Sequence, residues 1–211
     1  EILSESINIR NVADVPIASF LSGGIDSTSI VKHLSKTDKQ INTFSVHVEN
    51  EKYDESKWSN EVAQKYNTNH RHVTIDSTID NKIIDKSIKS LDHPYSDPSV
   101  IPSFMLSEEI SKYFKVAISG DGGDELLGGY GRIFRSPFDY ANEKPNISFF
   151  EYFIDKYEYV PREMRDSLIN TPIDYRAKFD AKISEQFSKR SNEENVFKFF
   201  HNYHVKGLLQ R

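Results

Sequence analysis

The chain has 211 residues, of which 37% are hydrophobic and 12% aromatic. This is enough apolar surface to build a core, so the composition excludes a disordered chain and favours one sizeable domain or one with an appendage. The formal net charge is −5, and Lys and Arg form no block along the chain, so we expect no nucleic-acid partner.

Cysteine is absent, which excludes disulfides, thiolate metal sites and a Cys nucleophile within these residues. The same absence fits a reducing compartment, and we expect a cytoplasmic protein. No apolar run approaches the roughly 20 residues that a membrane span needs, and no signal peptide is visible at the start, so we expect no membrane association. The first residue is Glu1 rather than Met, which leads us to expect a piece of a longer protein.

The pattern of apolar residues predicts strands and helices in alternation. In chain order we expect a helix over residues 1–12, a strand over 17–21, a helix over 25–35, a strand over 41–48, a helix over 54–66, a strand over 70–75, helices over 79–91 and 103–113, and a strand over 115–119. This alternation is typical of an α/β fold, a parallel sheet with helices on both faces. From Ser136 onward the pattern is helical, aromatic and charged, so we predict an α/β core over residues 1–135 and a helical C-terminal part over 136–211. We expect this C-terminal part to be truncated.

Some side chains carry expectations of their own. In the first helix, the residues expected to face inward are Ile2, Leu3, Ile7 and Ile9. Trp58 and Tyr66 share an apolar helical face and are expected in the core. His70 and His72 share one face of a strand and are expected to meet, although the histidines lack metal-ligand spacing. Glu125 is either a carboxylate behind a site or, as we prefer, a first-turn acid that the helix dipole favours.

Two glycine-rich loops that also carry carboxylates follow predicted strands. SGGIDS, residues 22–27, follows the first strand, and SGDGGDE, residues 119–125, follows the fourth. In open parallel sheets, ligands bind at the carboxyl ends of strands. Backbone N–H groups, glycines and a helix N-terminus together form an anion site there. Farther along, Gly128 and Gly129 are expected to let the second loop turn tightly.

The polar side chains of these loops suit a nucleotide. Ser22, Ser27 and Thr28 can donate hydroxyl hydrogen bonds to phosphate oxygens, and Asp26 with Asp124 could hold Mg²⁺ on a polyphosphate. Taken alone, the first loop is equally compatible with an ordinary turn. Two such loops at two strand ends favour the nucleotide site.

Known motifs separate the classes of nucleotide-binding protein. The chain has no G-x-x-x-x-G-K-[ST], and the first loop is not G-x-G-x-x-G, which disfavours a P-loop kinase or GTPase and a dinucleotide fold. The pattern S-G-G-x-D-S after the first strand instead resembles the PP-loop of ATP pyrophosphatases. These enzymes cleave ATP between the α and β phosphates and activate a carboxyl or carbonyl group as an adenylate.

A closer resemblance rests on three stretches of sequence. They are DVPIASFLSGGIDSTSIV, DHPYSDPSVIPSFMLSEEISKYFKV and VAISGDGGDELLGGYGR. Together they resemble the synthetase domain of glutamine-dependent asparagine synthetases, with both loops in the same order and spacing. The resemblance covers roughly residues 2–132, and the family's glutaminase domain with its Cys nucleophile has no counterpart in this chain.

The resemblance implies roles for individual residues. The residues implied at the ATP site are Leu21, Ser22, Gly23, Gly24, Asp26, Ser27, Val46 near the adenine, Ser119 and Gly120. Asp26 and Asp124 would bind Mg²⁺. Asp121 stands where the family often has Glu, a carboxylate linked to forming the acyl-adenylate, and is the implied catalytic residue.

The activity that the resemblance implies is ATP-dependent amide formation. ATP would adenylate a carboxylate, aspartate by resemblance, with release of pyrophosphate, and ammonia would then give the amide, asparagine, and AMP. The alternatives are a sugar-acid amidotransferase of surface-polysaccharide biosynthesis, another PP-loop ATP pyrophosphatase such as a tRNA-modifying enzyme, and a non-catalytic relic. The implied partners are the carboxylate substrate, ammonia and the glutaminase domain of the full-length protein, with a homodimer as a candidate assembly. We expect these residues alone to form an incomplete enzyme.

Overall fold

The computed structural model describes residues 1–37, 40–49, 54–75, 80–92, 97, 99–168, 173–187 and 190–209. The chain divides into two compact units, Glu1–Gly120 and Asp121–Arg211. The domain boundary that the sequence predicts, between residues 135 and 136, stays a prediction.

A four-stranded parallel sheet forms the centre of the first unit. In chain order the elements are α1 (Ile2–Arg10), β1 (Ile17–Phe20), α2 (Ile25–Leu34), β2 (Asn42–Val48), α3 (Ser56–Lys65), β3 (Asn69–Ile75), α4 (Asn81–Lys89), α5 (Val100–Ser111) and β4 (Val116–Ile118). Each element lies where the apolar pattern predicts it, apart from small differences at the ends. The predicted α/β fold is confirmed.

Helices cover both faces of this sheet, as a parallel sheet requires. The apolar cluster on one face contains Leu21, Ile118 and the α2 residues Ile30, Val31 and Leu34. The cluster on the other face contains Ala18, Phe44 and the α5 residues Leu106 and Ile110. Full burial of one such aliphatic or aromatic side chain contributes roughly 1.5–3 kcal/mol, so these clusters hold α2 and α5 on the sheet.

The order of the strands, β3-β2-β1-β4, defines where a ligand can bind. The chain moves outward from β1 through β2 to β3, and then β4 pairs with the other edge of β1. The direction of strand order therefore reverses between β1 and β4. At such a switch point the loops leave their strands on opposite faces, which opens a crevice outside the carboxyl ends.

The first helix departs from the expectation. Ile7 is buried, but Ile2, Leu3 and Ile9 are exposed, so the prediction that all four face inward is wrong for three of them. Ile7 joins the apolar cluster under α2, and Asn8 Oδ1 lies 2.8 Å from His33 Nε2. A helix that rests on its neighbour along one narrow stripe leaves its other faces in solvent.

A polar seam, formed by Thr43, Ser45, Ser59, His70 and His72, lies where α3 meets β2 and β3. His70 bonds Thr43 at 2.8 Å and Ser45 at 3.2 Å. The Ser45 hydroxyl also bonds Ser59 at 3.2 Å and His72 at 2.8 Å. The two imidazole centroids are 4.7 Å apart, so the predicted meeting of His70 and His72 is confirmed.

The seam favours neutral imidazoles. Burial, and then the neighbouring His72, lower the pKa of His70 to about 4. Burial likewise lowers the pKa of His72, with a further contribution from His47 and an opposing one from Asp54. The cause is that a partly apolar environment disfavours the charged form of histidine.

The second unit is helical in its described residues. Its elements are α6 (Gly123–Leu127), α7 (Gly131–Phe134), α8 (Ser136–Glu143), α9 (Phe149–Tyr157), α10 (Arg162–Leu168), α11 (Ile173–Phe187), α12 (Asn192–Phe199) and a π-helix (Phe200–Leu209). The buried cluster contains Phe149, Phe153, Phe199 and Phe200 with Ile133, Ile154, Ile183 and Val196. The helical C-terminal part is confirmed for these residues. No helix in the described ranges is both long and apolar enough to cross a membrane.

The histidine seam predicts how stability depends on pH. Because the folded pKa of His70 lies below its ordinary value of 6.5, the unfolded chain binds more protons between about pH 6.5 and about pH 4, and stability falls as the pH drops through that window. We expect the melting temperature to fall from about pH 7 to about pH 5, and to fall less in His70→Asn. The exposed His201 provides the control, since His201→Asn should keep the full dependence. Equal slopes for the two variants would contradict the assignment.

Candidate active site

The loop after β1 turns from the sheet into α2 within four residues, 21–24. Leu21 anchors this loop, because its N–H donates to the Phe44 carbonyl at 2.8 Å and its side chain is buried in the core. Gly24 precedes α2 with an extended backbone. The first N–H groups of a helix have no partner within the helix, so the start of α2 can bind an anion outside the end of β1.

Two hydroxyls hold the same loop together from inside. The Ser22 and Ser27 oxygens are 3.1 Å apart, the Gly24 N–H donates to the Ser22 hydroxyl at 3.2 Å, and the Ser27 hydroxyl donates to the Gly24 carbonyl at 3.3 Å. Ser27 is buried whereas Ser22 is exposed. Ser27 therefore shapes the loop, and Ser22 is the hydroxyl that faces solvent.

Gly23 occupies a position that no other residue suits. Its φ is +88°, and a Cβ built on it would lie 2.5 Å from Trp58 Cβ and 2.8 Å from the Ser59 nitrogen. The first turn of α3 thus lies directly on the loop. Trp58 itself is 55% exposed, so its predicted place in the core is wrong: its backbone and Cβ lie against Gly23 of the loop, and the residue is otherwise largely in solvent. Tyr66 does pack against the core cluster, as predicted.

The end of β4 lies against the start of α2. A Cβ on Gly120 would be 3.1 Å from Asp26 Cβ and 3.2 Å from the Ser27 nitrogen. Ser119 and Gly120 are half-buried. The absence of a side chain at Gly120 therefore lets the two strand-end loops approach each other beside Asp26.

In the second unit, the Asp124 carboxylate fills the space that a Cβ on Gly129 would need. That Cβ would lie 2.6 Å from Asp124 Cγ. Gly128 has φ +81° and ends α6, which confirms its predicted role in the turn, but Gly129 has no positive φ. The requirement at Gly129 is therefore room for the aspartate, which the sequence pattern alone did not reveal.

Behind this loop lies a buried carboxylate. Glu125 is 5% exposed, its Oε1 accepts from the Tyr130 hydroxyl at 2.7 Å, and His204 Nε2 lies 3.4 Å from it. His204 Nδ1 in turn lies 3.1 Å from the Tyr157 hydroxyl. Burial lowers the pKa of His204, while Glu125 acts in the opposite direction. Glu125 is in the first turn of α6, as predicted, and its contact with His204 also joins that turn to the π-helix.

The remaining site candidates lie in both units. Val46 is near the carboxyl end of β2, half-buried against the cluster that contains Phe44. Asp26 is half-buried in the first unit, whereas Asp121 and Asp124 are exposed and belong to the second. The proposed roles of these residues follow from sequence and stay predictions.

The chemistry of the side chains fits a magnesium nucleotide. Mg²⁺ is usually bound by one or two carboxylates together with substrate phosphates, and Asp26 and Asp124 each stand beside a glycine that leaves them room. The Thr28 hydroxyl oxygen is buried with no hydrogen-bond partner among the described residues. The described ranges contain no group of three or more His, Asp or Glu side chains that could hold a metal ion by themselves.

Fold and loops together define an α/β domain of the PP-loop type, in which β1 and β4, on either side of the switch point, each end in a glycine-containing turn. The model of the asparagine synthase family matches residues 1–204. The chain therefore belongs to the asparagine synthase family.

Individual relatives agree with this assignment. The protein named "Putative asparagine synthetase (glutamine-hydrolyzing) 2" of Methanocaldococcus jannaschii is 38% identical over 132 residues, which cover 62% of this chain and 25% of the relative. "Asparagine synthetase (glutamine-hydrolyzing) 1" of Bacillus subtilis is 36% identical over 133 residues, covering 63% of this chain and 21% of the relative. The chain thus spans about a quarter of the length of the curated relatives it matches.

The contact between Gly129 and Asp124 predicts an asymmetry between two glycines. Gly129→Ala must displace the Asp124 side chain, and overpacking of this kind costs about 1–3 kcal/mol. A Cβ on Gly131 meets nothing within 4 Å, so Gly131→Ala is the matched control. We expect the melting temperature to fall by roughly 2–10 °C in Gly129→Ala and not to fall in Gly131→Ala. Equal melting temperatures for the two variants would refute the packing argument.

Proposed function

We propose that this chain is the ATP-dependent ligase part of an amide-forming enzyme. Its reaction would begin with attack of a substrate carboxylate on the α-phosphorus of ATP, releasing pyrophosphate and leaving an acyl-adenylate. Ammonia would then attack the acyl carbon, with AMP as the leaving group. The observation that carries the proposal is the close approach of Gly120, at the end of β4, to Asp26 and Ser27 of the loop after β1, at the switch point of a sheet in a chain of the asparagine synthase family.

The residues of the first loop would bind the polyphosphate. The backbone N–H groups at the start of α2 and the Ser22 hydroxyl would donate to phosphate oxygens, and the approach of Gly120 would enclose the anion from the β4 side. Leu21, Gly23 and Gly24 would line the site, with Ser27 shaping it and Val46 near the adenine. Donors fixed in place before the reaction stabilise charge that develops in the transition state.

The carboxylates have a separate role. Asp26 and Asp124 would hold Mg²⁺, which supplies positive charge to the phosphates when it is bound. Asp121, next to Gly120, would orient the carboxylate acceptor or the acyl-adenylate, and Ser119 would contact ATP. Holding both reactants in one geometry is the main contribution that a protein makes to a reaction of this type.

The acceptor that we propose is aspartate, because the relatives are named asparagine synthetases. Those relatives are also named glutamine-hydrolyzing, so we propose that a glutaminase domain supplies the ammonia. The chain has no cysteine, and a cysteine nucleophile for glutamine hydrolysis would therefore lie outside these residues. A homodimer and a cytoplasmic location stay predictions.

Binding and adenylation can be tested separately. We expect ATP with Mg²⁺ to bind the chain and to raise its melting temperature, because a ligand that binds only the folded state stabilises it by mass action. Aspartate should then support exchange of labelled pyrophosphate into ATP, with a sugar acid tested in parallel. Binding without exchange for any acid would contradict the ligase assignment, and no binding at millimolar ATP would contradict the nucleotide site itself.

The two candidate metal carboxylates give a second test. We expect Asp26→Asn and Asp124→Asn each to weaken binding of Mg²⁺-ATP by about tenfold or more, with circular dichroism unchanged. Asp85, an exposed carboxylate on α4, is the control for loss of one charge, and Asp85→Asn should bind as the wild type does. If both loop variants bind as tightly as Asp85→Asn, the shared-metal proposal is wrong.

A further inference from the structure

Asp54 lies between the end of β2 and the start of α3 and accepts hydrogen bonds from both. Its Oδ1 accepts from the N–H of Val48 at 3.3 Å and from the N–H of Ser56 at 3.2 Å, and lies 3.1 Å from His47 Nδ1. Its Oδ2 accepts from the Ser56 hydroxyl. The side chain is only 18% exposed. The carboxylate therefore joins the last residue of β2 to the first residue of α3.

The charge on this carboxylate is present throughout the ordinary pH range. The Ser56 hydroxyl is the main cause that lowers the pKa of Asp54 to about 2, with the Ser56 and Val48 amides and His47 acting in the same direction against partial burial. Hydrogen bonds to a charged acceptor are stronger than those between neutral groups. The start of α3 is thus fixed to the sheet by an ionised group.

The turn of α3 that Asp54 fixes is the turn that lies on the PP-loop. A Cβ on Gly23 would meet Trp58 Cβ at 2.5 Å and the Trp58 carbonyl carbon at 2.6 Å. Trp58 lies four positions after Asp54, so movement of the first turn of α3 moves the surface on which Gly23 rests. In the same turn, the Ser59 hydroxyl is hydrogen-bonded to the Ser45 hydroxyl of β2, which joins the turn to the sheet.

We infer that Asp54 is a positioning residue for the nucleotide site: it holds the first turn of α3 against Gly23 and so keeps the PP-loop in its anion-binding conformation before a ligand arrives. The inference rests on the proposed function only for the identity of the ligand. A loop that is already ordered loses less conformational freedom on binding, and affinity rises accordingly.

A simpler role for Asp54 would be that of an ordinary helix cap. The chain offers a matched comparison, because Asp80 caps α4 by accepting from the Lys82 N–H at 3.1 Å. Loss of either aspartate removes hydrogen bonds at a helix start, which typically costs about 1 kcal/mol. Of these two aspartates, however, only Asp54 precedes a helix that packs on Gly23.

The experiment compares Asp54→Ala with Asp80→Ala and Asp54→Asn. In the absence of ligand, hydrogen exchange of the segment 20–30 should be faster in Asp54→Ala than in Asp80→Ala. Emission from Trp58, the one tryptophan of the chain, should shift in Asp54→Ala and stay as in the wild type in Asp80→Ala. Asp54→Asn, which retains an acceptor oxygen for the two amides but loses the charge and the acceptor for the Ser56 hydroxyl, should lie between the wild type and Asp54→Ala.

Ligand binding completes the test. Mg²⁺-ATP should bind about tenfold more weakly to Asp54→Ala than to Asp80→Ala. If the wild type binds and the two alanine variants bind equally, the positioning role is overturned while the proposed function stands. If the wild type does not bind, the proposed function fails. The positioning role is then decided by hydrogen exchange and Trp58 emission, and is overturned if Asp54→Ala matches Asp80→Ala in both.

Discussion

The structure depends on close approach of backbone to backbone at Gly23. With φ +88° and the first turn of α3 where a Cβ would stand, the loop after β1 rests with one surface directly on α3. A side chain at this position would force the loop and α3 apart, because a contact of 2.5 Å between carbon atoms cannot be accommodated. Gly120 has the same function with respect to α2, since its missing Cβ lets β4 end beside Asp26.

The contacts behind these glycines are polar rather than apolar, which affects how precisely the loops are held. Ser45 contacts Ser59, His70 and His72 at once, and a partly buried network of this kind favours one arrangement, because others would leave the buried Ser45 and Ser59 hydroxyls without partners. In the second unit, the buried Glu125 is likewise held by polar partners, Tyr130 and His204. In both units, hydrogen bonds with fixed directions lie directly behind the candidate site residues.

Much of the first unit could be predicted from sequence, because alternation between strand and helix patterns determines a parallel sheet and the glycines mark its loops. The position of Trp58 could not be predicted, since helical periodicity gives its face but not whether a sheet or a loop lies beneath it. Glu125 and His204 are far apart in sequence, and no local pattern connects them. The requirement for Gly129 also escaped prediction, because a glycine pair after a short helix indicates a turn and not space for a neighbouring carboxylate.

The pairing of β1 with β4 also has a consequence for how the chain folds. Ala18 pairs with Asn42 on one side, whereas Ile17 pairs with Val116 on the other, about 100 residues farther along the chain. Closing the longer loop costs more entropy and slows folding, so β1, β2 and β3 can assemble while the second edge of β1 is still unpaired. The pairing of β1 with β4 therefore forms late, and until it forms the second edge of β1 is open to pairing with another chain.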